Sequence, residues 1–398
     1  MIKYAILGYG TVGSGVAEVM EAQREKIADV VGDAVELGYI LVRHDYPGDP
    51  FADRMVTDFS VIESDPEVAI VAEVIGGAGA AYDYTRRALL AGKSVVSSNK
   101  ELVAVHGAEL NEIARTKGVN YLFEGSVGGG IPLLRPLTQC LAANRIEEIF
   151  GILNGTTNYI LTAMDERGQS FEEALKKAQE LGYAEADPTA DVEGIDACRK
   201  TAILADLAFG WNMDPAAIPT RGITQVTGAD LELAHALGYT VKLLGHAVRR
   251  ENGCCAFVEP HLVPMTHLLA SVSGVMNACV VRGSAVGEVM FYGPGAGKLP
   301  TASAVAADIV DAAQHRERRK DTELGKPGGV LAPAESLTSR WYVRAAADPE
   351  TVRARFPGAE PVYGSTQECG FVTVPMDRRE LNKRLHRVEA AAVMRVLD

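Results

Sequence analysis

Six residues constrain this chain more than any others. Gly8-Tyr9-Gly10-Thr11-Val12-Gly13 is a G-x-G-x-x-G that follows an apolar run at residues 3–7 and opens an amphipathic stretch. A strand must end, turn tightly and enter a helix in that space. The first glycine permits the turn, the second lets a ligand approach the backbone, and the third lets helix and strand pack closely. The helix start then offers free N–H groups and a positive dipole end to a pyrophosphate. An ordinary glycine-rich turn is the competing reading. The placement between strand and helix favours a dinucleotide site at Gly8, Gly10, Thr11, Val12 and Gly13.

The surrounding pattern agrees. Apolar runs at residues 35–42, 69–75, 94–97 and 120–123 alternate with helical stretches at 82–91 and 101–117. Such alternation predicts an α/β, Rossmann-type parallel sheet covered on both faces, over residues 1–132. Beyond 133 the rhythm changes. A strand at 146–153 precedes helices at 157–166, 171–181 and 192–209. Two extended pairs follow, 246–250 with 254–262 around Glu251-Asn252-Gly253, and 277–282 with 286–291. An Ala-rich helix spans 299–319. We read 133–322 as an α+β catalytic and dimerisation domain whose last helix could pack back on the first domain. Gly and Pro crowd 325–333, the mark of a linker within 323–338. Residues 339–398 run β-α-β-β-α-β, the order of a small ferredoxin-like module.

The net charge of −13 argues against a nucleic-acid binder and against adsorption to anionic membrane. No run of 18 apolar residues suggests a membrane span, and the first residues do not read as a signal peptide. Six cysteines, at 140, 198, 254, 255, 279 and 369, form no C-x-x-C and no metal-ligand spacing with the histidines. They read as reduced thiols, so the expected location is cytoplasmic.

Two further signals bear on chemistry. The second strand ends Leu41-Val42-Arg43-His44-Asp45. NAD usually needs an acidic residue there for the ribose 2′-hydroxyl. Arg43 instead stands where a 2′-phosphate could be met, which favours NADP over NAD; a solvated strand-end charge is the alternative. In the stretch 180–210, Asp196 and Lys200 are four apart on a helix that is otherwise largely apolar, so they share a face. They read either as a surface ion pair or as a partly buried proton-handling pair beside a carbonyl.

Six segments in order then resemble homoserine dehydrogenase: GYGTVGSGV at 8–16, Ser98-Asn99-Lys100, FEGSVGGGIP at 123–132, GILNGTTNYIL at 151–161, the stretch 180–210, and YGPGAGKLPTASAV at 292–305. The resemblance implies a small-molecule substrate, homoserine or aspartate semialdehyde. It implies that Glu185 binds the substrate ammonium, and that Gly155, Thr156, Tyr183 and Asp191 complete the amino-acid pocket. Asp196 and Lys200 resemble a catalytic pair with Lys200 as proton donor, and Lys100 resembles a second lysine near the nicotinamide. Gly76, Ser98, Lys100 and Gly297 join the cofactor site. The carbonyls of Glu124, Val127, Gly129 and Ile131 resemble a loop that holds sodium or potassium; a strained glycine turn is the alternative. The chain departs from the family at 97, 98, 125 and 128, small residue for small residue. The family further implies a homodimer or homotetramer and an ACT-like amino-acid sensor at 339–398. The loop 346–351 lacks the glycine such sensors use, so that module is expected to pack or dimerise rather than sense threonine. Two rival functions are a cysteine-dependent semialdehyde dehydrogenase and a non-enzymatic NADP sensor.

Overall fold

The computed structural model describes every residue except 252, 321–323, 326–328 and 387. The chain divides into two compact units: 1–145 with 202–215 and 293–328, and 146–201 with 216–292 and 329–398.

The first unit is built on β1 (Ile2–Leu7), β2 (Val35–Leu41), β3 (Met55–Val56), β4 (Val68–Glu73), β5 (Ser94–Ser97) and β6 (Tyr121–Leu122). Their order across the sheet is β3-β2-β1-β4-β5-β6, every pair parallel. The central strands are buried almost throughout, which is why they read as continuous apolar runs rather than alternating ones. The order reverses between β1 and β4, and ligands of such sheets bind at the carboxyl ends beside that switch. Helix Lys298–Gln314 belongs to this unit and packs on helix Thr11–Ala22 through Ala302, Val305 and Ile309. Gly15 makes the approach close: a Cβ there would lie 3.0 Å from Ala302 Cβ.

The second unit holds a ten-stranded sheet. Its strands are β7 (Ile146–Ile152), β8 (Tyr239–Arg250), β9 (Gly253–Pro264), β10 (Met276–Gly283), β11 (Gly287–Pro294), β12 (Val330–Leu331), β13 (Trp341–Ala345), β14 (Val362–Tyr363), β15 (Cys369–Val372) and β16 (Ala390–Val396). The order is β11-β10-β7-β8-β9-β16-β13-β15-β14, with β12 beside β9. The C-terminal residues follow the expected β-α-β-β-α-β order, in the arrangement β16-β13-β15-β14. They join the sheet of the second unit: β16 runs parallel to β9, pairing Arg395 with His261 and Val396 with Leu262. Arg395 is sandwiched between Phe257 and Trp341 and bonds Glu259 at 2.9 Å. Buried Asp230, on helix Gly228–Ala236, accepts from Arg344 Nε at 2.8 Å and ties that helix to β13.

Among the described residues β7 flanks β8, β16 and β12 flank β9, and β11 and β14 end the sheet. One expectation needs correction. The helix expected at 192–209 is broken at Gly194, whose φ is +81°, into Thr189–Val192 and Ile195–Phe209. Cys140 ends a short π-helical turn, Pro136–Cys140, and is exposed. Of the Gly- and Pro-rich stretch, residues 326–328 lie outside the described residues, as does Asn252 of the hairpin signal; Val330–Leu331 pair with Gly253–Cys254. Among the described residues no helix is long and apolar enough to cross a membrane.

Candidate active site

The sequence-selected residues fall on both units, and each unit assembles its own cluster.

In the first unit, the glycine turn has the form the motif requires. Gly8 has φ +98°, and a Cβ on Gly13 would sit 2.0 Å from the Gly8 carbonyl oxygen, so only glycine allows the helix to start this close to the strand. A Cβ on Gly10 would meet nothing within 4 Å, so this position faces open space. Gly10 is the N-cap of helix Thr11–Ala22, and no side chain caps it. The uncapped N–H groups of a 12-residue helix therefore face that space, a donor set that suits a pyrophosphate. Arg43 lies two residues past β2 and is exposed, with no ion pair among the described residues.

A buried network joins the next two turns. Glu73, at the end of β4, accepts from Ile75 N at 2.7 Å and from Ser97 Oγ at 2.6 Å. Asn99 N donates to Ser97 Oγ at 3.1 Å. Asn99 Oδ1 caps helix Lys100–Lys117 by accepting from Leu102 N, while its Nδ2 donates to the carbonyls of Ile75 and Gly77. The loop containing Gly76 is thereby held against the turn that carries Ser98 and Lys100. Burial pushes Glu73 up to about 7, against the hydrogen bonds from Ser97, Ile75 and Asn99.

The loop 124–131 is also buried. Gly128 and Gly129 have φ of +76° and +54°, and a Cβ on Gly129 would lie 2.4 Å from the Gly295 carbonyl oxygen. Gly130 N donates to Pro294 O at 3.1 Å, and Gly297, with φ +131°, is the N-cap of helix Lys298–Gln314. The Glu124 carboxylate accepts from the N–H groups of Leu133, Leu134 and Arg135 at 2.6, 2.9 and 2.7 Å. Its carbonyl takes only a 3.5 Å bond from Val127 N. Among the described residues nothing donates to the buried carbonyls of Val127, Gly129 and Ile131. Hard oxygen donors left in this state fit a monovalent cation.

In the second unit, Lys200 and Asp196 are buried, 8% and 4% exposed, and their Nζ and Oδ2 atoms lie 2.7 Å apart. This removes the surface-pair alternative. Lys200 Nζ also donates to the Leu153 carbonyl at 2.8 Å. Asn154, which the sequence reading passed over, links the cluster: its Nδ2 donates to Asp191 Oδ1 at 2.7 Å and Asp196 Oδ2 at 2.9 Å, and its Oδ1 caps helix Gly155–Arg167 at Thr157 N. The signal was present, since Asn before Gly-Thr-Thr is an N-cap pattern. Burial, and then the Asp196 charge, raise the Asp191 carboxyl against the Asn154 hydrogen bond. Gly155 lies against β10's approach, where a Cβ would come 2.7 Å from Val275 O. Thr156 Oγ1 donates to Tyr183 O at 2.7 Å, and the Tyr183 ring packs on Tyr159 at 5.1 Å. Glu185 is exposed, two residues beyond Tyr183.

A thiol mechanism finds no support in the buried cysteines. Burial pushes Cys255 up to about 11 and Cys279 up to about 12, away from the thiolate form.

A dinucleotide turn at the switch of a parallel sheet, together with a buried Asp–Lys pair, defines a nicotinamide-dependent oxidoreductase. Residues 8–124 match the homoserine dehydrogenase NAD-binding domain, and residues 132–310 match the homoserine dehydrogenase family proper. The chain belongs to the homoserine dehydrogenase family. It is 44% identical to homoserine dehydrogenase of Pseudomonas aeruginosa over 352 residues, 86% of this chain and 81% of that one. It is 45% identical to the Bacillus subtilis enzyme over 316 residues, 78% and 72% of the two chains. The crystal structure of a homoserine dehydrogenase from Thiobacillus denitrificans superposes with a TM-score of 0.90 at 36% identity, covering 100% of this chain and 98% of that one. A hyperthermophilic archaeal homoserine dehydrogenase in complex with NADPH superposes with a TM-score of 0.66 at 27% identity, covering 78% of this chain and 97% of that one. The family's reaction is the NAD(P)-dependent interconversion of L-aspartate 4-semialdehyde and L-homoserine.

Proposed function

We propose that Lys200 hands the proton to the aldehyde oxygen during reduction and takes it back during oxidation. The observation that carries this reading is the bonding of Lys200. Among the described residues its acceptors are Asp196 Oδ2 and Leu153 O, whereas an ammonium has three N–H bonds. The third is available to a substrate oxygen. Asp196 holds the charged form of the lysine in place, and Asn154 holds Asp196. When bound, the nicotinamide exchanges hydride with the substrate carbon; the chain orients the partners and moves the proton. Lys100, at the first turn of its helix, is the second candidate donor, acting through water.

The remaining assignments rest on the same frame. Glu185 pairs with the substrate ammonium, with Gly155, Thr156, Tyr183 and Asp191 around it. Arg43, exposed and unpaired among the described residues, favours NADP over NAD. The carbonyls of Val127, Gly129 and Ile131, with Glu124 O, would hold sodium or potassium and so fix the loop. The C-terminal segment acts as a packing appendage of ACT-like form rather than a threonine sensor. The active species is a cytoplasmic homodimer or homotetramer.

The test is steady-state homoserine oxidation by Lys200→Met and Lys100→Met. The Lys200 variant should lose about 10²–10⁴-fold in kcat, the range of general acid–base catalysis, with NADP affinity retained. Wild-type turnover in that variant would overturn the assignment.

A further inference from the structure

We infer that the C-terminal segment carries a binding site for a small, multiply charged anion of the di- or triphosphate class. Helices Pro349–Arg355 and Arg378–Leu385 and the turn Ala334–Ser336 border a cavity of about 790 Å³. Its walls carry Arg355, Arg378, Arg379, Lys383 and His386, with Glu335 the one carboxylate among them. Four cationic side chains and one carboxylate thus line the hollow, on a chain whose net charge is −13.

The carboxylates near these cations, Glu335 and Glu259 for Arg378 and Glu380 for Lys383, are fewer than the cations and stand off from them. Among the described residues Arg355, Arg378 and Arg379 form no ion pair, and Lys383 reaches Glu380 only at 3.7 Å. Arg378 is half-buried and fixed. Its guanidinium lies 5.1 Å from the centre of the Trp341 ring, and Arg395 stacks on the same ring at 4.4 Å. Trp341 is 1% exposed and anchored by Nε1 to Met376 O at 2.9 Å. The fold therefore holds a partly desolvated guanidinium at the rim of a hollow in which cations outnumber carboxylates, an excess that an entering anion would offset.

The chemistry narrows the ligand. Guanidinium forks match the paired oxygens of phosphate groups. The hollow is open to solvent and broad enough to take more than one phosphate group. An amino-acid effector brings one carboxylate and an ammonium, which would leave the positive excess in place. A di- or triphosphate offsets it.

The test is calorimetric titration of the full chain with pyrophosphate, ADP and adenosine, with NADPH saturating the glycine-rich turn and salt held at about 0.1 M so that weak surface attraction is screened. Pyrophosphate and ADP should bind at a single site and adenosine should not. Arg379→Gln and Arg355→Gln should each weaken binding about tenfold or more, the loss of one charged hydrogen-bonding partner. Homoserine oxidation should be unchanged in both. Arg378 is left intact because it packs on Trp341. The inference fails if pyrophosphate gives no binding at millimolar concentration, if both variants bind as the wild type does, or if adenosine binds as well as ADP.

Discussion

Glu73→Gln should remove part of the pH dependence of stability, and the size follows from the burial of one carboxyl. Glu73 is 0% exposed, and burial outweighs its hydrogen bonds and pushes it from 4.5 up to about 7. Below pH 4.5 both folded and unfolded chains hold the proton, and the group does not affect stability. Between 4.5 and 7 the unfolded chain ionises first, so stability falls as pH rises. Above 7 both states are ionised and the penalty is constant. At about 1.4 kcal/mol per pH unit the full penalty is on the order of 3 kcal/mol, most of which develops between pH 5 and pH 8. Glutamine keeps the volume and an acceptor for Ile75 N but has no proton to release. Urea unfolding of both proteins at pH 5 and pH 8 measures the difference. The stability gap should move toward the variant by roughly 2–3 kcal/mol over that range. Burial likewise raises Asp206 to about 8 and Asp308 to about 7, but both remain in the two proteins and cancel in the comparison. A gap that does not change with pH would refute a late-ionising carboxyl at the end of β4.

Three further outcomes are expected. Glu185→Gln should raise KM for homoserine with a smaller effect on kcat, because an ammonium loses its charged partner in the ground state; unchanged kinetics in a homoserine titration would exclude the role. Arg43→Ala should lower kcat/KM with NADP by about tenfold and leave NAD nearly untouched, since only NADP carries the 2′-phosphate to which Arg43 would bond; parallel losses with both cofactors would count against it. Threonine should inhibit homoserine oxidation weakly or not at all, and submillimolar inhibition that is lost when residues after 333 are removed would establish a sensor instead.

What the sequence displayed depended on how each element is solvated. The glycine turn was legible because Gly13 has no alternative: any side chain would strike the Gly8 carbonyl. The C-terminal β-α-β-β-α-β order was legible because short elements end in polar turns. β8 was half missed. Residues 239–245 alternate only over 240–243, and the polar side chains there, Thr240 and Lys242, are buried like their apolar neighbours, so the pattern did not mark which face is inside. Helix Gly228–Ala236 was missed as well, although Thr227 and Asp230 form a capping box that stands in the sequence. Its apolar residues follow no single stripe, and Asp230 is committed to Arg344 more than a hundred residues away, a partnership no local pattern shows. The Asp196–Lys200 spacing put both groups on one face, but whether that face was wet depended on Leu153 and Asn154 from another element.

Asparagines 99 and 154 illustrate the same division between what is local and what is not. Each precedes a helix, and each uses Oδ1 to accept a backbone N–H three residues on. That half of the side chain is an N-cap and can be read from the sequence. The other half is not local. Asn99 Nδ2 donates to the carbonyls of Ile75 and Gly77, and so locks the turn before Lys100 to the loop after β4. Asn154 Nδ2 donates to Asp191 and Asp196, and so sets the carboxylate that holds Lys200. Serine or aspartate would cap either helix about as well. Serine, however, is too short to present a second donor in the same direction, and aspartate would turn acceptor against acceptor. At position 154 an aspartate would place a third carboxylate beside two that already repel, in a buried setting where that repulsion is poorly screened. The requirement for asparagine therefore comes from the groups beyond the helix, not from the helix it caps.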